Sequence, residues 1–308
     1  MSDEHFINPT DNNDKTLEII NIKISNLNEL KDFINSDLET IILNFNNIIA
    51  CDLNELPINI ENIIIENNMI EIEEIKFNSK HKWNKIVLKN SNIKNISEIN
   101  DIICNKFDLS DNELSSLTFN NCKINELYLS DSDIEKIIFN NCEILKIDLS
   151  NNRLEEINNF PDNLIKLDLS NNLIRKVYKL SDTIKKLDLS NNLLEEIEFL
   201  PNNLEKLELN DNRLSTFNSN LLSENIKYLD ITKNYIKNNS ELFKDIQSEV
   251  LYYDTDEDED SDSDSDISIK FTNYKFSNSG IEETDNSEKI IRTYDNLIPI
   301  QMKWKIRL

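Results

Sequence analysis

A phrase that recurs every twenty residues constrains the fold of this chain more than any other feature. Leu164 to Ile174 reads L-x-x-L-x-L-x-x-N-x-L, and the pattern returns from Ile184 and again from Leu204. A period of this length is the signature of a solenoid, in which each unit buries its apolar face against its neighbours. The sequence therefore predicts one elongated stack of repeats.

The repeats extend over most of the chain. Eleven units place Asn or Ser at one position: Ser25, Asn46, Asn68, Ser91, Asn112, Ser132, Asn152, Asn172, Asn192, Asn212 and Asn234. A buried amide at this position, where the chain leaves a strand, can donate to and accept from backbone groups of adjacent turns. We therefore predict a structural ladder formed by the eight asparagines Asn46, Asn68, Asn112, Asn152, Asn172, Asn192, Asn212 and Asn234.

The spacing within each phrase predicts a short strand. Alternate side chains of a strand point to opposite faces, so Leu167 and Leu169 should enter the core while Asp168 points outward. Stacked repeats then form a curved parallel sheet on the concave face, with strands ~4.8 Å apart. We classify the expected fold as α/β, with about eleven repeats and a C-terminal cap made of a helix and β structure.

This motif resembles that of the leucine-rich-repeat family, and the resemblance covers the whole repeat block. The twenty-residue period and the phrases Phe160-Pro-Asp-Asn-Leu164 and Leu200-Pro-Asn-Asn-Leu204 are similar to the short repeat type of bacterial effectors. The composition is similar to leucine-rich-repeat proteins of giant amoebal viruses. Effector ligases of the short-repeat type carry a catalytic Cys domain after the repeats, but no Cys follows Ser240 here.

Composition excludes several classes of function. With 58 acidic against 33 basic residues the net charge is -25, which argues against nucleic-acid and membrane binding, since both require basic patches. A single glycine leaves no glycine-rich phosphate loop, dinucleotide-binding turn or nucleophile elbow. We therefore expect no catalytic residues, no cofactor and no enzymatic activity. The 51 asparagines are interpreted as codon bias.

The four cysteines contain no C-x-x-C pair. Cys122 and Cys142 end matching phrases twenty residues apart, so they should stack in adjacent repeats. Small buried thiols are the favoured interpretation, and a disulfide or half of a metal site are the alternatives. A zinc site requires about four ligands, so no metal site is predicted.

The sequence divides into five segments. Residues 1–16 are predicted to be a disordered N-terminus and 17–240 the solenoid. A cap helix is predicted at 241–253, because apolar residues from Leu242 to Val250 share one helical face. Residues 254–266 contain nine acids, D-T-D-E-D-E-D-S-D-S-D-S-D, and are predicted to be a disordered linker.

Two further features lie at the C-terminal end. Ser261 and Ser263 have acids three residues later, which makes them candidates for phosphorylation by acid-directed kinases. Residues 267–308 are predicted to be a β segment, because apolar and polar side chains alternate at its two ends, from Ile267 to Phe271 and from Ile298 to Leu308. That segment either covers the last repeat or docks on a partner.

The outward columns of the sheet give the candidate site. The middle column is Asn21, Ile42, Ile64, Val87, Asp108, Tyr128, Asp148, Asp168, Asp188, Glu208 and Asp230. Ile42, Ile64 and Val87 form an apolar stripe where later repeats have acids, and Tyr128 is a possible outlying anchor. These four residues are predicted to bind a partner. Beside the acids runs a column of lysines, which should neutralise them strand by strand.

These features predict a non-enzymatic module that binds an unidentified protein partner on the concave face. The alternative is an acidic chaperone or decoy for basic proteins such as histones, because the acidic tract after the repeats is similar to that of acidic leucine-rich nuclear phosphoproteins. The N-terminus carries acids and no apolar run, so we expect an intracellular, cytoplasmic location. That location includes a host cell or a virion. We expect a monomer.

Overall fold

The repeats form a parallel β-solenoid of about eleven turns. The computed structural model describes residues 6–9, 15–22, 24–157, 159–178, 180–236 and 249–251. Its strands are β1 (Phe6–Pro9), β2 (Thr16–Ile20), β3 (Thr40–Asn44), β4 (Ala50–Asp52), β5 (Asn62–Glu66), β6 (Glu74–Lys76), β7 (Lys82–Lys89), β8 (Glu98–Asn100), β9 (Ile103–Asp108), β10 (Ser116–Asn120), β11 (Lys123–Tyr128), β12 (Lys136–Asn140), β13 (Glu143–Asp148), β14 (Glu156–Ile157), β15 (Lys166–Asp168), β16 (Lys176–Val177), β17 (Lys186–Asp188), β18 (Lys206–Glu208), β19 (Tyr228–Asp230) and β20 (Glu249–Leu251).

One long sheet carries a strand from every repeat. Its order is β1-β2-β3-β5-β7-β9-β11-β13-β15-β17-β18-β19-β20, and from β2 onward neighbouring strands are parallel. The returning segments form three smaller parallel sheets, β12-β10-β8, β14-β16 and β4-β6. Short 3-10 helices occupy Leu27–Leu30, Leu53–Glu55 and Ser219–Leu221.

The predicted α/β class needs correction. In the described ranges, helical structure is limited to those three 3-10 segments, so this part of the chain is a β-solenoid. A period of about twenty residues leaves too little chain for a helical return after the strand and its exit turn. Of the cap helix predicted at 241–253, Val250 instead lies in β20, which pairs in parallel with β19. Residues 241–248, 252 and 253 lie outside the described part.

The N-terminal end also differs from the prediction. Within the range 1–16 that was expected to be disordered, Phe6–Pro9 form β1, which pairs antiparallel with β2. Thr16 is the first residue of β2. This strand supplies the edge of the first repeat with hydrogen-bond partners, because antiparallel addition satisfies an otherwise open sheet edge.

A single apolar core runs the length of the stack. Its buried side chains form one cluster from Leu17 to Ile236. Through the middle repeats runs a chain of ring contacts with centroid separations of 5.4, 6.4, 5.4 and 5.7 Å, formed by Phe77, Phe107, Phe119, Phe139 and Phe160. Phe107 and Phe119 lie on the two strands of one turn, and Phe119 pairs directly with Phe139 of the next turn, so the ring contacts connect the repeats through one continuous interior.

Asparagine amides link each turn to the previous one at the strand exits. The Nδ2 of Asn172 donates to the carbonyl oxygens of Leu149 at 2.9 Å and Leu169 at 3.1 Å, and its Oδ1 accepts from the Leu154 amide at 3.0 Å. Hydrogen bonds of the same kind, from one repeat to the next, are formed by the side-chain amides of Asn46, Asn68, Asn112, Asn152, Asn172, Asn192, Asn212 and Asn234. Seven of these eight side chains are buried, and that of Asn234 is half-buried.

Left-handed backbone marks the corners of the repeats. Sixteen non-glycine residues of the described part have positive φ, and fourteen of them are Asn or Asp. Asn121, Asn141 and Asn171 are examples, with φ between 52° and 55°. Short polar side chains tolerate this region best after glycine, so asparagine takes the role that glycine usually has in tight turns. The asparagine excess therefore has a structural use in addition to the codon bias.

Several predicted features lie outside the described residues. These are the acidic linker 254–266, the β segment 267–308, and the candidate phosphorylation sites Ser261 and Ser263. In the described ranges, no helix has the length and apolar character needed to cross a membrane.

Candidate partner-binding face

The outward-pointing side chains of the long sheet form three columns, which we call the outward face. Each column follows one strand position from repeat to repeat, because neighbouring strands pair in direct register. The pairings run Thr40↔Asn62, Asn62↔Lys85 and onward to Tyr228 for the first column. For the second column they run from Ile42 to Asp230, as the sequence predicted.

Two of the predicted docking residues lie side by side. Ile42 in β3 pairs with Ile64 in β5, and both side chains are half-buried. Neighbouring strands lie ~4.8 Å apart, so the two isoleucines make one continuous apolar spot. Beside them in the first column, the Asn62 amide donates to the Thr40 hydroxyl at 3.0 Å. An apolar pair flanked by a satisfied polar pair can be covered by a partner with little cost in lost hydrogen bonds.

Val87 corrects the predicted stripe. It continues the column, since it pairs with Ile64 on one side and Asp108 on the other, but only 5% of it is exposed. It also lies outside the connected interior cluster, so its burial comes from neighbours on the outward face. A short β-branched side chain between longer ones is covered by them. Val87 therefore offers a partner almost no surface.

Tyr128 lies apart from the isoleucines. Asp108 separates it from Val87 in the column, and its ring is half-buried. The Tyr128 hydroxyl donates to Glu126 at 3.0 Å, and the Lys106 ammonium lies 4.6 Å from the ring centroid. Burial and the Glu126 carboxylate raise the pKa of Tyr128 to about 12. The ring is held in place by its own neighbours, as an anchor residue requires.

The first repeat was misaligned by the sequence reading. Glu18, and not Asn21, pairs with Ile42 and begins the second column, while Thr16 begins the first. Ile20 pairs with Asn44, which places Ile22 rather than Ser25 opposite Asn46 at the ladder position, and the Ile22 amide donates to Asn46 Oδ1. The alternation of buried Leu17 and Ile19 around Glu18 is the signal that was available. The Glu18 carboxylate therefore bounds the apolar spot on one side, and on the other side Asp108 follows only after Val87.

The expected neutralisation of acids by lysines on their own strand holds for some repeats only. Lys106 pairs with Asp108 at 3.1 Å and Lys206 with Glu208 at 2.8 Å. Lys146 pairs instead with Glu126 of the preceding repeat. Among the described residues, Lys166 and Lys186 form no ion pair, and neither do Asp148, Asp168 and Asp188.

Serines hold the unpaired carboxylates. Asp168 accepts from the hydroxyl of Ser170 at 2.8 Å and from its backbone amide at 3.2 Å. Asp188 accepts in the same way from Ser190, at 2.7 and 2.9 Å. The same Asp-x-Ser bonds occur at Asp148, and Asp108 adds a lysine to them. The acids thus close the turn at the strand exit while keeping their charge on the outward face.

Two carboxylates of the second column have raised pKa values. Burial, followed by repulsion from Asp188, raises the pKa of Asp168 above the usual value of 3.8. Burial also raises the pKa of Asp188, with repulsion from Glu208 adding to it, although the Ser190 bonds oppose the shift. These carboxylates are therefore crowded against one another, and a cation placed along the column would relieve that crowding.

No cofactor site emerges from the described residues. They contain no group of three or more His, Cys, Asp or Glu side chains placed to hold a metal ion. The carboxylates of the second column lie in a row with one on each strand, so they do not converge on a common point as metal ligands do.

Comparison with known proteins gives structural neighbours only. No model of a known protein family matches the sequence, and no curated protein sequence matches it significantly. Among solved structures, YopM from Yersinia enterocolitica WA-314 is 22% identical with a TM-score of 0.45, and the match covers 67% of this chain and 48% of that one. The chain thus spans about half the length of this neighbour.

Two further solved structures are similar. YopM from Yersinia pestis, described as a leucine-rich effector protein, is 21% identical with a TM-score of 0.43, over 72% of this chain and 67% of that one. The leucine-rich repeat domain of APL1B is 19% identical with a TM-score of 0.45, over 78% and 74%. In its repeat motif and its parallel-strand register, the present chain is similar to leucine-rich-repeat proteins, and its fold is a solenoid of that type.

Proposed function

We propose that the protein is a non-enzymatic interaction module that binds a protein partner on the outward face, the concave side of such solenoids. The observation that carries the proposal is the side-by-side placement of Ile42 and Ile64 in half-buried positions, with Glu18 on one side and the buried Val87 on the other. Covering the exposed part of each isoleucine would supply a fraction of the about 1.5–3 kcal/mol of complete burial, a gain on the scale of an exposed ion pair. Tyr128 adds an anchored aromatic ring at the far side of Val87.

The test compares capture by matched variants of the full chain. Ile64→Asp puts a charge into the apolar spot and should abolish capture of the partner while leaving the melting temperature nearly unchanged. Ile58→Asp is the control, because Ile58 is 83% exposed in the connection before β5 and lies off the outward face. A protein retained by the wild type and the control but lost with Ile64→Asp supports the proposal.

Two results would contradict it. Undisturbed capture by Ile64→Asp would move the interface to another surface. Equal loss of capture by both variants would mean that added negative charge, and not the apolar spot, is what the partner resists. Val87→Ala serves as an internal check, since a buried side chain contributes to stability but should leave capture intact.

A second candidate function is an acidic chaperone or decoy for basic proteins. It is favoured by the carboxylates of Asp148, Asp168 and Asp188, which are held by serines and form no ion pair in the described structure. Lysine and arginine side chains of a basic partner would meet this row at each strand. Binding of that kind weakens steeply as salt rises.

The two functions respond to different changes. Binding of a histone-type basic protein is measured over a range of salt concentrations for the wild type, for Asp148→Asn/Asp168→Asn/Asp188→Asn, and for Ile64→Asp. The chaperone function requires that the triple variant binds more weakly with a shallower salt dependence, while Ile64→Asp binds as the wild type does. A triple variant that binds like the wild type would refute it.

A further inference from the structure

Cys122 and Cys142 occupy the same place in adjacent repeats, immediately before β11 and β13. The next residues, Lys123 and Glu143, are direct partners in the long sheet, and the Glu143 amide donates to the Cys122 carbonyl at 2.8 Å. Parallel neighbours in register have α-carbons about 4.8 Å apart. This separation falls within the range of about 4.4–6.8 Å that a disulfide bridges.

The two thiols differ in access. Cys122 is fully buried, and its Sγ donates to the carbonyls of Asn120 at 3.4 Å and Ile99 at 3.5 Å. Cys142 is half-buried, and its Sγ donates to the carbonyls of Phe119 and Asn140, both at 3.4 Å. One thiol is therefore sealed inside the repeat stack while its neighbour can meet a small molecule from solvent.

An open cavity leads to the accessible thiol. It has a volume of about 530 Å³, and its wall includes Cys142 together with Phe139, Phe160, Pro161 and Asp162. The wall is mainly polar, because asparagines and Asp162 line it beside the aromatic rings and the proline. A cavity of this size admits a small oxidant without rearrangement of the repeats.

The contact between the sulfurs divides their roles further. A hydrogen bond from the Cys122 thiol lowers the pKa of Cys142 to about 7, against the opposing effect of burial. The same hydrogen bond and burial raise the pKa of Cys122. Of the acidic groups nearby, Glu143 is paired with Lys123 at 2.8 Å, and Asp162 lies across the cavity. Of the two thiols, Cys142 is therefore the one that ionises first, giving up the proton that it donates to the Phe119 and Asn140 carbonyls, while Cys122 stays protonated.

We propose that Cys142 is an oxidation site for small hydroperoxides and that Cys122 converts the oxidised form to a disulfide between adjacent repeats. The Cys142 thiolate attacks one peroxide oxygen, the O–O bond breaks, and a sulfenic acid forms as hydroxide, or alkoxide from an organic hydroperoxide, leaves. The Cys122 sulfur then attacks the sulfenic sulfur, forms the S–S bond and expels water, with the Cys122 proton completing that water. A thiol reductant then reduces the disulfide by exchange, becoming oxidised itself, and restores both thiols.

The remaining cysteines act as internal controls. Cys51 and Cys104 are buried, and burial raises the pKa of each thiol to about 12. They should stay reduced under conditions that oxidise Cys142, because neither is a thiolate near neutral pH.

The experiment treats the full reduced chain with hydrogen peroxide at pH 7, blocks free thiols, and maps the tryptic peptides by mass spectrometry. Cys122 and Cys142 fall on separate peptides, residues 107–123 and 137–146, so their disulfide appears as one cross-linked species. We expect this species to form first and to disappear on reduction. Cys122→Ser should instead stop at a Cys142 sulfenic acid that dimedone traps. Alkylation of Cys142 by iodoacetamide should rise with a midpoint near pH 7.

Several results would overturn the proposal. If Cys142 were oxidised no faster than Cys51 or Cys104, it would not be a specific oxidation site. A disulfide that joins two chains through Cys142, or a cross-link that forms equally in Cys122→Ser, would show that Cys122 is not the thiol that reacts with oxidised Cys142. Melting curves of the reduced wild type and of Cys122→Ser establish that the variant is folded before its chemistry is compared.

Discussion

Single residues at the corners of the repeats adopt the left-handed backbone conformation, which is unfavourable for most side chains. A chain with one glycine must turn at every repeat, and asparagine or aspartate takes most of the left-handed positions. Phe45 and Lys233 are the exceptions among the described residues, with φ of 53° for both. A side chain without a local polar group costs roughly 1–2 kcal/mol in this region.

This gives a prediction at Phe45, whose side chain is 48% exposed. Phe45→Asn should raise the free energy of unfolding by about 0.5–1 kcal/mol, because asparagine tolerates the left-handed backbone and little apolar burial is lost. Chemical denaturation measures the change. Phe199→Asn is the control, since Phe199 is 54% exposed and has no positive φ, so it should not be stabilised.

The ladder amides give a second prediction at this scale. Asn172→Leu removes the acceptor of the Leu154 amide and the donor to Leu149, leaving buried backbone groups without partners. It should lower the free energy of unfolding by roughly 1–3 kcal/mol. Asn125→Leu is the comparison, because exposed Asn125 bonds only to the Asn105 side chain in the described structure. An Asn172 variant as stable as the Asn125 variant would show that the amide is not needed.

At the scale of the strand, the second column places carboxylates in register on successive repeats. The pKa of Asp188 is raised, so the folded state holds its proton more tightly than the unfolded state does. Its ionised form therefore lowers the stability of the fold at neutral pH. As pH falls through the raised folded value toward the ordinary 3.8, this loss is relieved.

Asp188→Asn should accordingly stabilise the protein at pH 7 by about 0.2–1 kcal/mol, the usual size of a like-charge contact between strands. The amide oxygen can still accept from Ser190, so the turn is preserved. The gain should shrink at high salt and vanish below the ordinary pKa of the acid. Thermal melts at pH 7 and at about pH 3, below the ordinary value of 3.8, measure this. Asp133→Asn, which breaks an exposed ion pair with Arg153, should not stabilise at either pH.

The strand scale also shows how far sequence alone reaches. Where the period is twenty residues, the predicted columns were confirmed, for example Lys166↔Lys186 and Asp168↔Asp188. The first repeat was wrong, because Thr16 pairs with Thr40 over 24 residues. A 3-10 helix at Leu27–Leu30 lies in that longer connection.

The candidate site was predicted less well than the fold. The alternation of side chains correctly placed Ile42, Ile64 and Val87 in one outward column. Whether an outward side chain is reachable depends on the sizes of its neighbours, which periodicity does not encode. Val87 was predicted as a docking residue but is buried by its neighbours, so it is not part of the candidate site. The serine partners of the carboxylates were missed too, although the repeated Asp-x-Ser phrase was visible in the sequence.

For the molecule as a whole, each repeat contacts its sequence neighbours in one continuous core. Stability is then nearly a sum of repeats and their interfaces. Deleting residues 165–184, one full period, should leave a folded and cooperative shorter solenoid in which Asp148 pairs with Asp188. The denaturant m-value should fall by about a tenth, in proportion to the surface buried.

A deletion of half a period is the matched control. Removing residues 165–174 joins core positions to turn positions and should abolish cooperative unfolding, as followed by circular dichroism and denaturation. Equal behaviour of the two deletions would show that the period does not set the structure.

The strict register of the long sheet has a consequence for recognition. A partner that recognises a basic and an acidic side chain on one strand meets that pair at Lys146 and Asp148, and again at each of the next three repeats. Such a partner would have several overlapping binding frames of nearly equal affinity and would slide between them. The apolar pair Ile42 and Ile64 occurs at one place in the column and is not repeated. It therefore breaks the translational symmetry of the surface and allows the partner only one binding position.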